Sequence, residues 1–418
     1  MVYVHVQESG MTKKELLIIN TVISAIVYVV FIIALLTVPK MRSDSTLFLI
    51  TSSTIFFNVI GVEWMYKGLE QYTYITIRSI IFKFIGLILM FFLVREKADY
   101  VWYGFITIFA ASASNIFNFI NIHKYISLKP VGHYDFKPHL KAVAVFFAMS
   151  CATTIYTNLD TVMIGFIKGD IENGYYNAAV RIKSILVSIV TSLGAVLLPR
   201  ASYYLENKLV DEFKKISQKA LSFVFIIAVP MMVYFMIFAH ESIYFLAGSA
   251  YDKSILPMQI IMPTLLFIGL TNIMGIQMLV PLGKEKYVLY SEIAGAIVDL
   301  VLNAILIPFM GAAGAAIGTL AAEAVVWIVQ FRYLKEDVMP MFRSIRYGLI
   351  ITATAISTAF AAATKLLSWH PFFILVLSAV LYFGIYLLVL TIGKEPLVIE
   401  LEDKFLGRFI KKWKKQND

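Results

Sequence analysis

Apolar residues run along this chain in long stretches separated by short charged breaks. The stretches lie at roughly 16–38, 45–66, 74–94, 98–122, 140–167, 175–199, 217–239, 254–281, 287–310, 312–334, 343–364 and 371–393. Each is long enough to cross about 30 Å of hydrocarbon as an α-helix rising about 1.5 Å per residue. None alternates every second residue, as barrel strands do. The pattern predicts an all-α integral membrane protein of about twelve transmembrane helices. A basic amphipathic stretch follows, Ile399–Lys415, with Leu401, Phe405, Leu406, Phe409, Ile410 and Trp413 on one face. It predicts a helix lying in the membrane interface.

Composition agrees with this reading. The chain is 60% hydrophobic and only 15% charged, where an ordinary soluble domain carries about 25% charged residues. A cytosolic enzyme, a secreted scaffold and a disordered tail are excluded. Cys151 is the single cysteine and the six histidines are scattered, so neither an internal disulfide nor a zinc site is expected. No Walker A, G-x-S-x-G or H-E-x-x-H motif occurs, which speaks against an ATP-driven pump, an enzyme and a bound cofactor. The first apolar run is too long for the h-region of a cleavable signal peptide.

The net charge of +9 reads as sidedness and not as nucleic-acid binding. With the loops numbered alternately, one side collects 25 of the 36 Lys and Arg, the other holds 7, and Arg78, Lys83, Arg181 and Lys183 lie inside spans. This positive-inside bias places both termini in the cytoplasm. The outward loops are short and offer no room for an external catalytic domain.

Gly68-Leu-Glu-Gln-Tyr72 introduces the third stretch and Gly283-Lys-Glu-Lys-Tyr287 the ninth. The pairs of spans that follow are alike in length, so the first four stretches are expected to repeat as the seventh to tenth, in the same orientation. The predicted organisation is an incomplete first lobe at 1–129 (four helices, 16–122) and a six-helix lobe at 130–338 (140–334). Two additional helices at 339–395 and a cytoplasmic basic tail at 396–418 complete it.

Ionisable and polar residues inside spans are costly and mark wet cavities or buried pairs. Asn177, Arg181, Ser184 and Ser188 recur on one helical face of the sixth stretch, the pattern of a cavity wall with a cation at its middle. The alternative is a structural ion pair with serines bonded to backbone. Lys183 lies about 200° round from Arg181 and reads as structural. The fifth stretch carries Asn158 and Asp160, and equal distance from the intervening turn predicts that Asp160 pairs with Arg181. Ser114, Asn118 and Asn121 of the fourth stretch read as glue between helices. Arg78 and Lys83 in the third stretch, and Glu292 and Asp299 in the ninth, are candidates for pairing across the lobes, with Glu323 a further possible coupling charge. Gly311, Gly314 and Gly318 read as small-residue packing and not as a phosphate loop.

Several stretches resemble the oligosaccharide flippases of bacterial polysaccharide synthesis, within the multidrug/oligosaccharidyl-lipid/polysaccharide exporter superfamily. They are Glu63-Trp-Met-Tyr-Lys-Gly-Leu-Glu70 with Tyr74-Ile-Thr-Ile-Arg78, Asn158-Leu-Asp-Thr-Val-Met-Ile-Gly165, and Gly174-Tyr-Tyr-Asn-Ala-Ala-Val-Arg181. The family has fourteen helices, so the resemblance implies that the two preceding the first stretch are lacking here. It implies a non-enzymatic flippase in the bacterial inner (plasma) membrane, moving undecaprenyl-pyrophosphate-linked oligosaccharide, an O-antigen-type precursor, to the outer leaflet by alternating access. The implied partners are that lipid, membrane lipids and the polysaccharide polymerase machinery, with no nucleic acid and no metal. The substrate cavity would be drawn from Arg181, Asp160, Asn158, Asn177, Ser184, Arg78 and Lys83, with the Arg181 guanidinium matching phosphate or sugar-acid oxygens. A cation-coupled drug exporter of the same superfamily stays open as an alternative, kept by Asp160, Glu292, Asp299 and Glu323. A membrane glycosyltransferase or polymerase and a non-transporting relic also stay open.

Overall fold

The structure, a computed structural model, describes residues 13–68, 71–124, 154, 157–367, 369–400 and 402. The described residues are helical with no strand. Two compact units divide the chain, Met1–Val145 and Phe146–Asp418.

In the first unit α1 spans Lys13–Thr37, α2 Ser45–Gly61 and α3 Tyr72–Leu93. A turn at Ala113 and Ser114 divides the next span into α4, Tyr100–Ser112, and α5, Asn115–Asn121. Helices in lipid gain nothing from hiding apolar faces, so close packing and hydrogen bonds hold them together. Gly61 lets α2 approach α5: a Cβ there would fall 2.5 Å from Asn115 Cγ. Asn118 Nδ2 donates to the Gly61 carbonyl at 2.5 Å, and Tyr66 Oη donates to the Asn118 carbonyl at 3.0 Å. Asn118 is thus the helix glue that its spacing predicts.

The second unit begins, among the described residues, with helical residues 157–167. It continues through α6 (Asp170–Glu206), α7 (Val210–Ile237), α8 (Ala239–Ala247), α9 (Ile255–Ile261) and α10 (Thr264–Thr271). Then follow α11 (Glu285–Met310), α12 (Ala312–Arg343), α13 (Tyr347–Ala362) and α14 (Pro371–Ile392). Most of the fifth apolar stretch and nearly all of Ile399–Lys415 lie outside the described residues.

Eight helices among the described residues are long and apolar enough to cross a membrane, or nine if one bent pair counts as a span. That pair departs from expectation. The run 254–281 reads as one continuous helix, but the structure breaks it between Ser249–Ile261 and Thr264–Leu279 with a 46° bend. Pro263 sits at the break. A proline has no N–H for the carbonyl one turn back, and its ring crowds that carbonyl. A π-helical turn, Asn272–Leu279, continues the distortion.

The core of this unit forms where one face of α6 meets α7, α9 and α10. Tyr176, Ala179, Ile182, Leu186 and Val190 are buried there against Leu221, Val224, Met258, Ile261 and Leu265. The final helix is pinned by polar contacts. Tyr386 Oη donates to the Ile226 carbonyl at 2.9 Å, and the Tyr234 and Ser378 hydroxyls lie 2.9 Å apart.

Candidate functional site

Gly169 takes φ +88°, a left-handed conformation that glycine adopts without penalty. It reverses the chain, so residues 157–167 and α6 meet around a buried carboxylate. Asp160, only 4% exposed, accepts a hydrogen bond from Tyr176 Oη of α6. Asn303 Nδ2 of α11 donates to its Oδ1 at 2.5 Å, and Thr319 Oγ1 of α12 donates to its Oδ2 at 2.8 Å. Four helical segments converge on one side chain. Gly318 makes room for this: a Cβ there would lie 2.3 Å from Asn303 Oδ1 and 3.2 Å from Asp299 Oδ1.

Asp299, 1% exposed, lies beside Asp160 and Asn303, and among the described residues its oxygens make no well-formed hydrogen bond. Asn303 Oδ1 is likewise buried without a partner. Glu323, one turn beyond Thr319 on α12, is buried as well. The ammonium of Lys183 sits in the field of Glu323 first, then of Asp160 and Asp299. Two adjacent carboxylates in an apolar interior cannot both stay charged without a compensating cation. Lys183 supplies one positive charge. Asp299 Oδ1 and Oδ2 and Asn303 Oδ1 are buried acceptors, the chemistry that takes up a proton. Among the described residues no group of three or more His, Cys, Asp or Glu could hold a metal ion.

The expected pairing of Arg181 with Asp160 is therefore corrected. Among the described residues, Asp160 accepts hydrogen bonds from Tyr176, Asn303 and Thr319, and Arg181 is exposed. Helical phase explains the difference. At about 100° per residue, Lys183 returns to within about 20° of Tyr176, whereas Arg181 points about 140° away. Lys183, read as merely structural, is the α6 cation that the acids face. Polar periodicity does not single out Tyr176, Asn303 and Thr319; the i, i+7 spacing of Tyr176 and Lys183 is the sequence signal that marks the inward face.

The other candidates fall elsewhere. Asn177 is half-buried and bonds to the Asn173 carbonyl at 2.9 Å. Ser184 and Ser188 are exposed, each donating to the carbonyl four residues back, at 2.8 and 2.9 Å. With Arg181 they form an exposed polar stripe on α6. Asn158 is exposed and bonded locally to the Thr154 carbonyl at 3.0 Å. Glu292 is half-buried on α11. In the first unit Arg78 is buried, its Nη1 donating to the Ser114 carbonyl at 2.9 Å, whereas Lys83 is exposed.

Comparison with known proteins gives this architecture a lineage. The polysaccharide biosynthesis protein family model matches residues 3–205, and the MatE model matches residues 146–305. Together the two models match residues 3–305, and these matches support a likeness to the multidrug/oligosaccharidyl-lipid/polysaccharide exporter superfamily. Among relatives of this chain is a protein of Escherichia coli (strain K12) named for O-antigen transport, 24% identical over 323 residues, covering 77% of this chain and 78% of the relative. A protein of Shigella dysenteriae named for the same transport is 26% identical over 294 residues, covering 69% and 72%. In fold, the chain is similar to the solved lipid II flippase MurJ in an inward closed conformation. The TM-score is 0.75 at 17% identity, covering 95% of this chain and 88% of that one. The chain is thus a multi-pass membrane protein whose relatives are named as transporters.

Proposed function

We propose that the chain turns an undecaprenyl-pyrophosphate-linked oligosaccharide from the inner to the outer leaflet of a bacterial inner membrane. One observation carries this reading: a stripe of Asn177, Arg181, Ser184 and Ser188 on α6, exposed at Arg181, Ser184 and Ser188 although its helix runs among membrane spans. Such a face is costly against lipid and cheap against water. A guanidinium there presents paired donors to phosphate or sugar-acid oxygens. The polyprenyl tail of the substrate would remain in lipid. The names of the O-antigen relatives and of the lipid II flippase support the class of cargo.

A drug exporter for organic cations would present acids at its exposed surface. Here Asp160, Asp299 and Glu323 are buried and the exposed stripe is cationic. In the proposed cycle the acids form the coupling group, changing charge as a proton enters beside Asp299.

Arg181→Ala is expected to lower the appearance of lipid-linked sugar in the outer leaflet by roughly ten- to a hundredfold, the worth of a charged hydrogen bond. Arg181→Lys keeps the charge and loses the planar fork, so it should recover only part of the rate. Wild-type transport by Arg181→Ala at matched protein level would refute the contact. Sidedness has its own test. Reporter fusions after Lys124 and Lys214 should read cytoplasmic and one near Lys253 external; the reverse pattern would overturn the orientation.

A further inference from the structure

The first unit holds a cavity of about 350 Å³ lined by Tyr74, Ile77, Arg78, Ile81, Phe82 and Phe117. Its chemistry is lopsided. Five of the linings are aromatic or aliphatic, and Ile77, Ile81 and Phe117 are about half exposed, so the cavity opens on the surface of the unit. The one charge is Arg78, 7% exposed. Among the described residues its guanidinium makes one hydrogen bond, Nη1 to the Ser114 carbonyl at the turn between α4 and α5, and packs 5.8 Å from the Tyr74 ring centroid. Its Nε–H is buried with no partner. Glu63 lies within electrostatic range without bonding to it. A buried arginine that uses so few of its five donors is unusual, because the cost of taking it out of water is repaid only by partners.

Depth and lining identify what would repay it. Arg78 follows Tyr72, the first residue of α3, by six positions, or about 9 Å along the axis, nearer the end of the span than its middle and within reach of a headgroup phosphate for a long side chain. The cavity continues along α3 from Arg78 to Ile81 and Phe82. We propose that it binds an anionic phospholipid of the surrounding bilayer, its phosphate on Arg78 and the upper part of one acyl chain against Ile77, Ile81, Phe82 and Phe117. A phosphate beside a guanidinium and a chain on an apolar wall complement the two halves of the lining. The oligosaccharide cargo is a poorer match. Among the described residues no Asn, Gln, Asp, Glu, Ser or Thr side chain lines the cavity to hold sugar hydroxyls, and the hydroxyl they do supply, Tyr74 Oη, is turned to the Phe117 carbonyl at 3.4 Å. The site is independent of the Arg181 reading, and either stands if the other fails.

Native mass spectrometry of the full chain in detergent tests it, with phosphatidylglycerol and a diacylglycerol of the same chains as probes. Wild type should retain phosphatidylglycerol at least tenfold more than the diacylglycerol. Two variants should each cut that retention about tenfold: Arg78→Gln, whose amide keeps a donor for Ser114, and Ile77→Trp, which fills the cavity and leaves the charge. Circular dichroism and thermal melting confirm that each is folded; if Arg78→Gln is not, Ile77→Trp decides. Wild-type retention by a folded variant overturns the site. Equal retention of the diacylglycerol, or displacement by millimolar inorganic phosphate, overturns the two-part recognition. Preferential displacement by undecaprenyl phosphate overturns the bilayer lipid as occupant and assigns the cavity to the cargo tail.

Discussion

Asp160→Ala is expected to be the most damaging single change in the second unit, costing about 3–5 kcal/mol. The carboxylate is buried and bonded by Tyr176, Asn303 and Thr319 at once. Truncation leaves those donors unsatisfied in an interior without water and removes a counter-charge from Lys183. Denaturant unfolding in mixed micelles measures the loss. Asp160→Asn should cost less, since its carbonyl still accepts from Tyr176 and Thr319, but its amide then meets the Asn303 amide. A cycle of Asp160→Asn with Lys183→Met isolates the charge contribution; a coupling energy of about 0.5–3 kcal/mol is expected. Additive effects would show that Lys183 and Asp160 do not interact. An Asp160→Ala protein as stable as wild type would remove the carboxylate as the organising centre.

Gly314→Ala ranks second. A Cβ at Gly314 would lie 2.6 Å from the Leu306 carbonyl oxygen and 3.0 Å from the Ile307 nitrogen. These are backbone atoms near the end of α11, so no rotamer change relieves the clash and α12 must move away. The flanking Ala312, Ala313, Ala315 and Ala316 are buried, so the displacement spreads along the contact. Overpacking of this kind costs about 1–3 kcal/mol, and Gly314→Val should cost more. Gly348→Ala is the matched control, because nothing lies within 4 Å of its added Cβ. It should be neutral or stabilising by about 0.5–1 kcal/mol, as alanine suits a helix better. Equal melting temperatures for the two variants would show that α11 and α12 do not depend on close approach.

Hydropathy alone locates the helices, because a run of apolar residues has one solution in a bilayer and local composition decides it. The glycines of α12 are equally plain as packing residues. The Asp160 cluster is not local. Its partners Asn303 and Thr319 lie 143 and 159 residues further along, and no periodicity within one stretch reveals which helix will be its neighbour. Depth along the axis is readable and leads to Arg181; rotation about the axis is what the chain uses, and it selects Tyr176 and Lys183. The break in 254–281 is hidden differently. Pro263 is plain in the sequence, but an unbroken apolar run outweighs one proline when only hydropathy is summed.

That break bears on how the protein is made. The segments Ser249–Ile261 and Thr264–Leu279 are each roughly 20–24 Å long as regular helix, short of the hydrocarbon thickness. Neither is a self-sufficient insertion signal, and the polar backbone freed at Pro263 is tolerated in the membrane only where protein surrounds it. In the finished structure Met258, Ile261, Met262, Leu265, Ile273 and Met278 are all shielded from the outside. Until α11 and α12 have emerged from the ribosome and closed around it, this segment lacks its shelter. Its integration is expected at a late, cooperative stage of biogenesis, after the longer unbroken spans on either side have entered.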